Sequence, residues 1–205
     1  MEMVRARIFG GLEMISSATF HVISTELVVG SFAMAGICFL VLAIQSFGLF
    51  ESEKASLVTD YAGHFALGFG LVATPFAIFS GISSSPTSDI SSPLLVNKMF
   101  LSMIATGLAL AVLFTRYKIG NKLWNSKPSS RIQTAAGLAA SGFMLMTASA
   151  GGKFSRGESV LDFLNLPYDT IFLMPTWASV IVLLAGVVSA IIAVMNLQKS
   201  SAVEH

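Results

Sequence analysis

Five long runs of this chain carry almost no charge, and nothing else in the sequence constrains the fold as much. A bilayer core takes about 20 apolar residues per crossing helix. Runs of that size lie at about 20–50, 61–82, 93–115, 132–152 and 170–198. Composition agrees: 54% of residues are hydrophobic and only 11% charged, against about a quarter charged in a soluble domain. The expected fold is an all-α integral membrane bundle of about five transmembrane helices. It forms a single transmembrane domain over 1–205, with no second sizeable domain. A net charge of +1 argues against nucleic acid as a partner. The lone cysteine, Cys38, excludes a disulfide framework, a cysteine-based zinc site and an iron–sulfur cluster.

The gaps between the runs suit connections. Glu51 to Lys54 opens a short polar loop, and Ser83 to Pro93 reads SSSPTSDISSP, which cannot continue a helix. Arg116 to Arg131 holds five basic residues and no acid. Between Lys153 and Asp169, Glu158 to Leu164 suits one or two turns of interfacial helix, stopped before Pro167. In the N-terminal segment 1–18, Val4, Ile8, Leu12 and Ile15 recur at helical spacing, as in an amphipathic helix lying on the membrane surface. Its apolar stretch is too short and too broken for a signal peptide. With the N-terminus outside, the inner loops hold seven Lys and Arg and the outer side five. The loop of five decides for N-terminus outside, C-terminus cytoplasmic.

An ionisable side chain inside a span needs a reason, because at the centre it costs about 2.5–3.5 kcal/mol on insertion scales. Glu26, near the membrane edge, reads as a proton or cation ligand, as half of an ion pair, or as a side chain facing the headgroups. Lys98 is its expected partner, since both lie near the outer ends of their helices in this orientation. The alternative for Lys98 is to snorkel to the surface. His21 and His64 invite a bis-histidine haem. However, His21 opens the first helix on one side and His64 the second on the other, more than about 30 Å apart. The ten methionines, Met99, Met103, Met144 and Met146 among them, read as packing. Gly63, Gly68 and Gly70, and the Ala135-Ala136-Gly137 stretch, suit close helix contact.

His21-Val-Ile-Ser-Thr-Glu-Leu27 and Gly151-Gly-Lys-Phe-Ser-Arg-Gly157 resemble motifs of a family of uncharacterised small prokaryotic membrane proteins, domain of unknown function 2231. The likeness runs over residues 18–160. It implies a four-helix membrane core in a prokaryotic plasma (inner) membrane and no established activity. Members often carry a histidine at the start of the third helix, where this chain has Asn97-Lys98.

The sequence holds no catalytic constellation, P-loop or dinucleotide fingerprint. The expected function is a non-catalytic accessory subunit of a larger membrane complex, within the class of membrane oxidoreductases of copper monooxygenase-like or respiratory type. Its partners are other membrane subunits and lipids. No cofactor is predicted, with haem and copper left open. A haem b- or quinone-linked electron carrier is one alternative. A small transporter or channel lined by Glu26 and Lys98 is another.

Overall fold

The computed structural model describes residues 16–50, 52–84, 92–159 and 161–165. Among these residues the chain is all-helical, with no strand. Four long helices follow one another: α1 (Ser17–Ser46), α2 (Glu53–Ser84), α3 (Pro93–Ile119) and α4 (Lys127–Arg156). Helices α1, α2 and α3 are long and apolar enough to cross a membrane. The run at 132–152 forms α4, whose Ala, Gly, Ser and Thr make it less apolar than the other three. The run at 170–198 and the N-terminal stripe from Val4 to Ile15 lie outside the described residues.

Local chemistry sets the helix ends. Ser16 caps α1 by accepting the Thr19 amide on its hydroxyl at 3.2 Å. Pro93 and Pro128 stand in the first turns of α3 and α4, where a missing N–H costs nothing. Gly157 closes α4 with φ at +79°, a conformation a Cβ would oppose.

Helix α1 is the hub. It packs along α2 on one side and α4 on the other, α3 packs on α4, and α2 touches α3 only slightly. Along α1 the buried residues Val28, Phe32, Ala35, Phe39 and Leu42 alternate by four and three, the seam of an antiparallel bundle. The outward face is just as apolar, with Leu27, Ile37 and Leu40 exposed. Equal hydrophobicity on both faces is what lipid contact asks for. Small residues let backbones meet: a methyl added to Gly70 would lie 2.8 Å from Phe32, and one on Gly36 would lie 3.0 Å from Ser141. Buried hydroxyls on α4 turn back on their own helix, as Thr134 does to the Ser130 carbonyl at 3.0 Å and Thr147 to Phe143 at 2.9 Å. Met144 joins this core, whereas Met99 and Met103 face outward.

The basic stretch from Arg116 to Arg131 is not a loop. Helix α3 runs on to Ile119, a 3₁₀ segment covers Gly120–Asn125, and α4 starts at Lys127. Leu123 of the 3₁₀ segment is buried, and Trp124 packs against the core cluster. Past α4, the interfacial helix expected at Glu158–Leu164 is a single 3₁₀ turn, Asp162–Leu164, ended by Asn165 at φ +47°. Asp162 holds this turn by accepting the Ser159 amide at 2.9 Å and pairing with Lys153 at 3.5 Å.

Candidate functional site

Chemistry-bearing side chains gather at the end of the bundle where α2 begins. An i, i+4 spacing puts Asp60 and His64 on one face of α2, and both are buried. Arg116 reaches across from the last turn of α3. Its Nε donates to Asp60 Oδ1 at 3.1 Å and its Nη2 to Oδ2 at 2.6 Å, a bidentate pair. The same Nη2 donates to Asn121 Oδ1 of the 3₁₀ segment at 2.8 Å. The guanidinium also lies 5.7 Å from the centre of the Tyr61 ring.

The hydrogen bonds identify the His64 tautomer. Nδ1 is 2.7 Å from the Asp60 carbonyl oxygen and 3.0 Å from Asp60 Oδ1. Both are acceptors, so Nδ1 carries the hydrogen and Nε2 its lone pair. Facing Nε2 at 3.0 Å is the amide nitrogen of Gln133, from α4. That nitrogen is also 2.8 Å from the Val112 carbonyl of α3, which orients the amide: one N–H goes to Val112 and the other to His64. The Phe39 ring meets the imidazole edge-on at 5.2 Å. The chain of bonds from Asn121 through Arg116, Asp60, His64 and Gln133 to Val112 therefore ties α2, α3 and α4 together. It supplies a polar link between α2 and α3, whose packing against each other is slight.

Every donor and acceptor named in that chain is spent on another protein group. The Nε2 lone pair, the atom a metal would need, is occupied by Gln133. Such a cluster clamps helices and presents no free nucleophile or base. Gln133→Leu should show the cost: it removes the donor for both His64 Nε2 and the Val112 carbonyl. We expect a loss of about 1–3 kcal/mol in unfolding free energy, read from an SDS titration in mixed micelles. An unchanged midpoint would mean that neither bond is used.

His21 lies at the opposite end. Its Nδ1 donates to the Ala77 carbonyl at 3.0 Å and sits 3.2 Å from the Ser80 hydroxyl, whose own proton goes to Phe76. The ring fits against Gly81, where a Cβ would come within 2.9 Å of it. From His64 to Gly81 along α2 is roughly 25 Å, so the two histidines share no ligand. Among the described residues no group of three or more His, Cys, Asp or Glu could hold a metal ion.

Glu26 and Lys98 are not brought together. Glu26 is exposed on the outward side of α1, in an open groove shared with α2. Lys98 is half-buried and extends along α4, its Nζ 3.4 Å from where a Gly151 Cβ would stand. Equal depth had suggested a pair, but depth says nothing of which way a helix position faces. Asp60, Arg116 and Gln133 were missed among the candidates. The signal for Asp60 was its spacing from His64, and for Arg116 its place directly after an apolar run, where the helix goes on for one more turn. Gln133 is not ionisable and gave no signal.

No family model, characterised protein or solved structure matched this chain.

Proposed function

We propose that this chain is a non-catalytic, structural subunit of a larger complex in a prokaryotic plasma membrane. In this reading five helices cross, the fifth being the run at 170–198, with the N-terminus outside and the C-terminus cytoplasmic. The observation that supports it is the clamp at His64: the richest group of chemical side chains in the described residues is consumed in holding α2, α3 and α4 together. A four-helix membrane core is also what the resemblance to domain of unknown function 2231 implies.

Extracted from its native membrane in mild detergent, the chain should run in native electrophoresis well above its own 21.7 kDa, with other subunits at fixed ratio. It should carry no stoichiometric redox group. A monodisperse monomer, or a Soret band at one haem per chain, would overturn the reading. Haem ligation by His64 Nε2 would require the Gln133 amide to leave it.

A further inference from the structure

The end of the bundle where α2 and α4 begin is strongly basic. Among the described residues it carries Lys54, Arg116, Lys118, Lys122, Lys127 and Arg131, against the acids Glu53 and Asp60. Asp60 is spent on Arg116. Lys118, Lys122, Lys127 and Arg131 are exposed, and none of them takes part in an ion pair among the described residues. The segment that bears them is anchored, with Leu123 buried and Trp124 against the core, so the charges stand on a fixed platform.

The two arginines of this segment are used in opposite ways. Arg116 turns inward and donates to Asp60 and Asn121. Arg131 is exposed, and its guanidinium lies 5.0 Å from the centre of the exposed Phe47 ring at the end of α1. A guanidinium over a ring is steadied there while the N–H donors around its edge stay available. No acceptor among the described residues takes one of them. Lys127 precedes Arg131 by four positions, so the two cations share one face of α4, a turn apart. Exposed rings accompany the charges elsewhere on the platform, as Lys118 Nζ lies 5.8 Å from the centres of both Phe114 and Tyr117. Three charge-free runs also stop at this end: 27–50 just after Phe47, 99–115 at Arg116, and 132–152 at Arg131. Such runs end where hydrocarbon meets headgroups.

We infer that Lys127 and Arg131, with Phe47 beside them, bind the headgroup phosphate of an anionic phospholipid. The forked guanidinium and the compact ammonium take the phosphate oxygens. Phe47 and Ile132, both exposed, meet the first carbons of the acyl chains. Charge selects an anionic lipid over a zwitterionic one, whose choline would face the same cations. The apolar side chains select a lipid over free phosphate, which has no chain to cover them. The site needs no second protein, so it stands or falls apart from the subunit reading.

The experiment is native mass spectrometry of the full-length chain in a neutral detergent, titrated with phosphatidylglycerol or with phosphatidylcholine of the same acyl chains. The first phosphatidylglycerol should bind about tenfold tighter than the first phosphatidylcholine. Arg131→Gln and Lys127→Gln should each cut that preference about threefold, and the double change should abolish it. Both side chains are exposed, so the melting temperature should hold within a few degrees. Phe47→Leu should lower the preference without removing a charge, because the guanidinium is no longer steadied. Lys118→Gln removes a charge from the same end, on a helix that does not pack against α1, and should leave the preference within about twofold. Equal affinity for the two lipids overturns the inference, as does a preference that survives the double change. A loss with Lys118→Gln as large as with Arg131→Gln also overturns it, because the attraction would then be a diffuse surface potential. Displacement of phosphatidylglycerol by inorganic phosphate at matched ionic strength does the same, because the ligand would then be a free anion.

Discussion

Arg116→Met should lower the unfolding free energy by about 3–5 kcal/mol, and Asp60→Leu placed on top of it should restore most of the loss. Asp60 is 3% exposed and its carboxylate takes both arms of the guanidinium. Removing the arginine leaves a buried charge without its counterion, which is where the cost arises. Removing both leaves two apolar side chains in the same space, and nothing charged remains to be desolvated. His64 survives the double change, because the backbone carbonyl of residue 60 still accepts its Nδ1–H at 2.7 Å. Asn121 loses its donor but is exposed and turns to water. The measurement is a double-mutant cycle by SDS unfolding in mixed micelles. If the two single losses simply add, the residues are not coupled and the clamp between α2 and α3 lies elsewhere.

The sequence shows the helices more plainly than the clamp that joins them. Charges bound the apolar runs, and the runs mark the helices because the bilayer demands them. Helices α2 and α3 are longer than their runs. The runs at 61–82 and 93–115 became α2 (Glu53–Ser84) and α3 (Pro93–Ile119), since a helix continues past the first residue that dislikes lipid. Asp60 and Arg116 each stand one residue outside a run yet inside a helix. Their pairing spans 56 positions and joins two helices that touch only slightly, so no local pattern announces it. His64 stands out in the sequence as a metal-ligand candidate, but the residue that occupies its Nε2 is not ionisable. That residue is Gln133, 69 positions away on α4. The glycine-rich stretches were the most informative part of the sequence. Gly63, Gly70 and Gly137 all stand at close helix contacts, as their size demands.

Gly137 supports the second large effect. A Cβ built on it would fall 2.5 Å from Cγ and Cδ2 of Phe39 and 2.6 Å from Cδ1, so the base of the ring occupies the space at Gly137. Phe39 is wholly buried and its ring also meets the edge of His64. It has nowhere to retreat without disturbing the clamp. Gly137→Ala gains about 1 kcal/mol of helix propensity, but overpacking at such a contact costs about 1–3 kcal/mol. The net change should be a loss. Gly142→Ala on the same helix meets nothing within 4 Å and should be neutral or stabilising, which separates propensity from collision. Phe39→Ala should cost about 3–5 kcal/mol by opening a cavity between α1 and α4. The decisive variant is Phe39→Leu with Gly137→Ala, which trades ring volume for a methyl group. It should be more stable than the sum of its parts, because each change relieves the strain or the void left by the other. Strict additivity in the same SDS titration would mean that the ring does not rest on Gly137, and that α1 and α4 are held apart by something other than this contact.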